Sequence, residues 1–200
     1  MSASAPGPRV ADVTQTNEVW LVRHGETEWS RSGQHTGVTD IALTPSGNAS
    51  AEALADTLEG TAFDRVLTSP LQRARRTAEL AGFAGAALEP DLVEWDYGDY
   101  EGLTSATIRE TDPDWTIWTH GAPRGESVAA MSARMDRVVT RLREHPGRQL
   151  LFAHGHSLRA LAARWLGQPV GDGRLLRLDT ATVSVLGYEH ERPAVLRWNC

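Results

Sequence analysis

Two short apolar runs frame this chain. Val19-Trp20-Leu21-Val22 gives way abruptly to Arg23-His24-Gly25, and Leu150-Leu151-Phe152-Ala153 gives way to His154-Gly155-His156. Apolar runs of this length read as buried strands, and in an α/β sheet ligands bind where parallel strands end. Phe63 to Thr68 and Ala87 to Val93 read as two further strands. Leu175 to Leu178 and Ala181 to Tyr188 carry the alternation of two closing strands, with Ala194 to Trp198 as an edge strand. Between them the period changes to that of helices. Thr44 is placed as an N-cap before Pro45, Ala51, Leu54, Ala55 and Leu58 follow at core spacing, and Gly60 ends that helix. Ser69-Pro70-Leu71-Gln72 reads as a capping box opening a second helix, with Leu71, Ala74 and Ala78 facing the core. Glu126 to Glu144 is the clearest helix, with the stripe Met131, Met135, Val138 and Leu142, and another runs from Gly155 through Trp165.

The intervening stretches are less regular. Trp29 to Thr44, with Gly33 and Gly37, reads as a loop lying over a strand end. Glu94 to Gly102 is too aromatic and too rich in glycine for a helix interior and reads as a pocket wall. Thr104 to Pro123 holds one short helix and a Trp-rich stretch in which Trp115 and Trp118 share a face as core residues. Strands alternating with helices predict the α/β class: a three-layer α/β/α sandwich with a mostly parallel central sheet.

Composition narrows the function. With 200 residues and 40% hydrophobic content the chain is long enough for one sizeable core, so a single domain is expected over residues 18–200. Residues 1–17, rich in Ser, Ala, Pro, Gly and Thr, read as a disordered tail. A net charge of −6 without any basic block argues against nucleic-acid and membrane-surface binding, and no apolar run is long enough to span a bilayer. The one cysteine, Cys200, excludes an intrachain disulfide framework and a cysteine zinc cluster, which fits a reducing cytoplasm.

Against this acidic background stands a local basic pattern. Arg23, His24, Arg73, Glu94 and His154 all fall at or just beyond the carboxyl ends of expected strands, so one crevice can hold them. An arginine fork chelates two phosphoryl oxygens, a neutral imidazole offers a nucleophilic nitrogen near pH 7, and a carboxyl shielded by aromatic residues can carry a proton. Around Leu21-Val22-Arg23-His24-Gly25-Glu26-Thr27, Ser69 to Ala78, Glu94-Trp95-Asp96-Tyr97-Gly98 and His154-Gly155-His156, the sequence closely resembles the histidine phosphatase superfamily, in the branch that includes cofactor-dependent phosphoglycerate mutase. The resemblance runs from about Glu18 to Tyr188. It implies that His24 is the nucleophile and becomes phosphohistidine, that Arg23, Arg73 and His154 hold the transferring phosphoryl group, and that Glu94 is the general acid. It further aligns Ser30, Thr36 and Gly37 with a phosphate-proximal loop, Ser30 standing where the family usually has Asn. No metal and no cofactor are called for.

Trp29, His35, Trp95 and Tyr97 are expected in the substrate pocket, which with Trp115 and Trp118 hints at an apolar or stacking site for a substrate larger than a three-carbon acid. His156 reads as a capping or supporting residue, and His120, His145 and His190 as surface. Arg75 and Arg76 are expected to point away from the phosphate, and Glu126 to stabilise a helix start. The expected activity is a phosphomonoesterase acting on small phosphorylated metabolites. Its closest competitor is a 2,3-bisphosphoglycerate-dependent phosphoglycerate mutase, but only 60 residues separate Glu94 from His154, short for the mutase cap, and no Arg-Arg pair lies between them. A non-catalytic phospho-ligand binding module would be expected to lack a catalytic residue, and none is missing. A metallohydrolase built on His154 and His156 lacks a nearby carboxylate cluster. A small phosphomonoester is the expected partner, and exposed strand and Trp surface would permit a homodimer.

Overall fold

In a computed structural model of the chain the described residues are 17–200. The expected tail lies outside them except for Asn17, which is buried: its side-chain amide donates to the Leu142 carbonyl at 2.9 Å and its oxygen accepts from Gln149. Six strands, β1 (Glu18–Arg23), β2 (Arg65–Thr68), β3 (Ala87–Leu88), β4 (Arg148–Ala153), β5 (Val183–Glu189) and β6 (Arg192–Arg197), form one sheet in the order β3-β2-β4-β1-β5-β6. The first four are mutually parallel, and β5 and β6 close the sheet antiparallel.

Side chains of a strand alternate between faces, and here both faces are covered. Val19, Leu21 and Leu151 join the core formed with α6 (Val128–Glu144) and α7 (Gly155–Trp165), through Met131, Met135, Leu142, Leu158 and Trp165. Trp20, Val22, Leu150 and Phe152 join the opposite core with Leu54 and Leu58 of α2 (Pro45–Leu58) and Ala78 of α3 (Gln72–Leu80). The three-layer arrangement follows from those two runs being apolar at every position.

Several local expectations are corrected. The stretch from Trp29 contains helix α1 (Glu28–Ser32), because Thr27 and Ser30 close a reciprocal capping box. Ser69 does not cap α3: that helix starts at Gln72 after Leu71, which is only half-buried, and the serine hydroxyl has another partner described below. The third strand shrinks to two residues, since Pro90 opens a 3-10 turn at Pro90–Leu92. Residues 104–123 hold two short helices, α4 (Ser105–Arg109) and α5 (Ile117–His120), capped in turn by Thr104 and Gly121. No strand forms over Leu175–Leu178: a 3-10 turn occupies Val170–Leu175, and the alternation there reflects Leu178 entering the core and Leu176 packing against it while Leu175 is exposed. Helix α6 begins at Val128, capped by Ser127, so Glu126 lies outside it.

Candidate active site

The register of the sheet assembles the site. Arg23 pairs with Ala153, Thr68 with Phe152, and the next amides continue the ladder, His24 N–H donating to the Ala153 carbonyl at 3.0 Å and Ser69 N–H to the Phe152 carbonyl at 2.9 Å. Three chain segments therefore leave the sheet at one level and deliver His24, Ser69 and His154 side by side, where the strand order reverses and a crevice opens. The His24 and His154 rings meet edge to face, 5.2 Å between centroids.

Tight backbone contacts hold this corner. Gly25 and Gly47 face each other so closely that a Cβ on Gly25 would lie under 3.0 Å from the Gly47 carbonyl oxygen. The Gly25 N–H is received by Thr77 Oγ1 at 3.0 Å, linking the β1 end to α3.

His24 is buried, and its Nδ1 lies 2.7 Å from the Gly25 carbonyl. A carbonyl only accepts, so Nδ1 carries the hydrogen and Nε2 of the neutral ring keeps its lone pair. Burial first, then the charges of Arg73 and Arg23, hold this imidazole well below its usual pKa. His154 is fixed from both sides: Arg73 Nε donates to its Nδ1 at 3.1 Å, so its Nε2 carries the hydrogen and donates to Ser69 Oγ at 2.8 Å. Burial and the neighbouring Arg73 keep it neutral as well.

The two arginines differ. Arg23 donates through Nη1 to the Leu178 carbonyl at 2.6 Å, while its buried Nε has no hydrogen-bond partner among the described residues. Arg73, fully buried, directs Nη1 to the Thr39 carbonyl and Nη2 to those of Thr36 and Gly37. Four of its five N–H groups are thus spent on protein.

Glu94 receives three backbone N–H groups, from Trp95 and Ser157 at Oε1 and from His156 at Oε2, the last two in the first turn of α7. Together Arg23, His24, Ser30, Thr36, Glu94, Tyr97 and His156 line a cavity of about 180 Å3, with His35, Gln34 and Arg159 on its wall.

The remaining expected site residues divide. Thr36 lines the cavity. Gly37 does not, and its N–H is held by Glu101, which clamps the 37–39 loop by also receiving Thr39 N–H at 3.0 Å. Ser30 lines the cavity, but its hydroxyl donates to the Thr27 carbonyl and accepts from Thr27 N–H, so the capping box occupies it. His35 stacks on Tyr97, centroids 4.6 Å apart, and burial lowers its pKa to about 4. Trp95 is a core residue: it is fully buried and its indole N–H donates to the Glu126 carbonyl. Trp29 lies against Gly102 instead of the cavity, and Trp115 and Trp118 are buried, so of the expected aromatic pocket only His35 and Tyr97 reach the cavity. The cavity wall is mixed, charged and polar groups standing beside the Tyr97 ring and Leu178.

His156 contributes more than capping. Its Nδ1 lies 2.6 Å from the Tyr97 hydroxyl, and burial keeps the imidazole neutral and the phenol protonated, so the two share one neutral hydrogen bond. Glu126 does not serve a helix dipole: its carboxylate forms a buried pair with Arg134. His120, His145 and His190 are exposed, as are Arg75 and Arg76. Ser69, Thr77, Glu101 and Arg159 escaped the sequence reading, although Ser69 stands at the end of β2 as His24 stands at the end of β1. Among the described residues no group of three or more His, Cys, Asp or Glu side chains is placed to hold a metal, and no helix is long and apolar enough to cross a membrane.

Comparison with known proteins gives this arrangement a family. The chain is 43% identical over 180 residues to an acid phosphatase of Mycobacterium tuberculosis, spanning 88% of this chain and 89% of that protein. It is 34% identical over 184 residues to a probable phosphoglycerate mutase of Photorhabdus laumondii, covering 86% of each. A solved structure of a Mycobacterium tuberculosis open reading frame product superposes with a TM-score of 0.88 at 40% identity, covering 92% of this chain and 97% of the other. The sequence model of the histidine phosphatase superfamily (branch 1) matches residues 19–200, and the chain belongs to that superfamily.

Proposed function

We propose that the protein is a phosphomonoesterase that hydrolyses small, polar phosphorylated metabolites through a phosphohistidine on His24. The observation that carries this reading is the locked tautomer of His24. With Nδ1–H donated to the Gly25 carbonyl and protonation suppressed by burial and then by two guanidinium groups, Nε2 is a free lone pair at the mouth of β1. Nε2 attacks phosphorus as the ester oxygen departs. The unpartnered Nε of Arg23 and the remaining Nη1 hydrogen of Arg73 are available to charge on the phosphoryl oxygens, donors of the kind that phosphoryl transfer requires, while His154, with its ring nitrogens taken by Arg73 and Ser69, holds the Arg73 guanidinium in place. Glu94 gives a proton to the leaving oxygen, and as carboxylate then takes one from the water that attacks phosphohistidine, releasing phosphate and restoring His24. The polar side chains on the cavity wall, among them Gln34, Thr36 and Arg159, suit a hydroxylated leaving group such as a sugar or glycerate. The chemistry runs on side chains alone, so activity survives a chelator, and the single cysteine supports a reducing, cytoplasmic setting.

The test is a rapid-quench reaction with labelled phosphomonoester. An acid-labile, base-stable phosphoenzyme that disappears in His24→Ala, together with loss of turnover, is expected; label on serine, or near-normal turnover of the variant, refutes the assignment. The mutase reading draws support from the phosphoglycerate mutase relative. It replaces the phosphatase reading if isomerisation of 3-phosphoglycerate outruns phosphate release.

A further inference from the structure

Behind Glu94 the backbone of residues 91–94 leaves the sheet through the Pro90–Leu92 turn and has no neighbouring strand. Its carbonyls are gathered by a single guanidinium, while the Asp91 carboxylate is held separately by Arg137 and Arg141. Arg134, in the second turn of α6, donates through Nη1 to the carbonyls of Asp91 at 2.7 Å and Val93 at 2.8 Å, and through Nη2 to that of Glu94 itself at 3.3 Å. Its other two N–H groups go to Glu126, Nε to Oε1 at 2.8 Å and Nη2 to Oε2 at 2.6 Å. All five donors of the guanidinium are used, and both partners are nearly buried, at 9% and 13% side-chain exposure. Glu126 closes the other side, its N–H donating to the Asp96 carbonyl and its carbonyl receiving the Trp95 indole N–H. The segment on both sides of Glu94 is thus tied to one ion pair outside the cavity.

We infer that Arg134 is a positioning residue for proton transfer by Glu94, and that Glu126 holds it to that task. The inference rests on the reading of Glu94 as the general acid. The carboxylate is aimed from the front by α7 amides, which set its rotation, while its depth in the cavity is set from behind by the three carbonyls on Arg134. A lysine offers three donors on a flexible stem and cannot span three carbonyls and a carboxylate in one plane. Displacing a reacting group by about 1 Å costs on the order of 100-fold.

A purely structural role would affect every substrate alike, whereas a positioning role must depend on the leaving group. The measurement is kcat/KM, which reports formation of the phosphoenzyme, across phosphomonoesters from para-nitrophenyl phosphate, whose phenolate departs unaided, to glycerol 2-phosphate, whose alkoxide needs a proton. Glu94→Gln is the reference, expected to lose roughly 100-fold or more on the alkyl ester and far less on the aryl ester. Arg134→Lys is expected to repeat that pattern with roughly a tenfold to 100-fold loss on the alkyl ester and less than about threefold on the aryl ester. The double variant Arg134→Gln with Glu126→Gln, which strands no buried charge, provides the same reading should the lysine variant fold poorly. Equal losses on both esters, or none, in a folded Arg134 variant beside a leaving-group-dependent Glu94→Gln overturn the inference. If Glu94→Gln itself shows no such dependence, the general-acid reading of Glu94 fails first.

Discussion

Acid should weaken this fold before its carboxylates titrate, because its site is built from buried histidines held neutral in place. His24 and His154 are buried and held neutral by burial and by Arg73. In the unfolded chain each takes up a proton near pH 6.5, while in the folded chain it does not until the pH is well below that. The sign follows: below about pH 6.5 the unfolded state binds more protons, so stability falls with falling pH, by up to about 1.4 kcal/mol per unit for each histidine. At pH 5, about 1.5 units below the unfolded value, a histidine that stays neutral in the fold has removed at most about 2 kcal/mol, so the two together set a ceiling of about 4 kcal/mol. That is a large share of the roughly 5–15 kcal/mol a domain possesses. His156, likewise held neutral by burial, and His35, with its pKa lowered to about 4, add to the same trend. Glu18, Asp91 and Asp179, held below the usual carboxylate range chiefly by arginine and asparagine hydrogen bonds, contribute stability that is lost only at lower pH. Urea unfolding at half-unit steps from pH 7.5 to 4.5 measures the slope, and His24→Gln and His154→Gln should each flatten it by about 1.4 kcal/mol per unit. A flat profile from pH 7 to 5, or an unchanged slope in both variants, refutes the reasoning. In the same window kcat/KM of the folded fraction should persist, since the proposed nucleophile His24 stays unprotonated.

Other outcomes follow from single contacts. Arg73→Lys should lose most activity without rescue, because one ammonium cannot replace the bond to His154 and those to three loop carbonyls; faster proteolysis near residues 36–39 would accompany the kinetic loss. Ser69→Ala leaves the His154 Nε2 hydrogen buried without an acceptor and should cost about 1–3 kcal/mol in urea unfolding at pH 7.5. Gly47→Ala places a Cβ under 3.0 Å from backbone atoms of Glu26, so a lowered thermal midpoint is expected together with lost activity; wild-type behaviour in both would show that the β1 corner relaxes freely.

The sequence alone determined the sheet and the identity of the chemistry. Apolar runs at Val19–Val22 and Leu150–Ala153 have only one way to bury both faces, and a strand that ends in Arg-His-Gly leaves its polar residues at the rim, so Arg23, His24 and His154 were legible as a group. Arg73 and Glu94 were legible too, as residues just beyond expected strand ends, and the resemblance to a known family supplied their expected roles. The partners of these residues were not. Ser69 meets His154 across 85 positions of chain and Arg134 meets Glu94 across 40, and neither pairing leaves any periodic trace. Leu175 to Leu178 alternated like a strand but found no neighbour to pair with, and Trp95, aromatic beside an acid, went to the core because its indole found the Glu126 carbonyl there. Local pattern is set by which side of an element faces water, and sequence records that directly. Which donor meets which acceptor inside the crevice is decided only when the β2, β4 and β1 ends are brought to one level, and that register belongs to the tertiary structure.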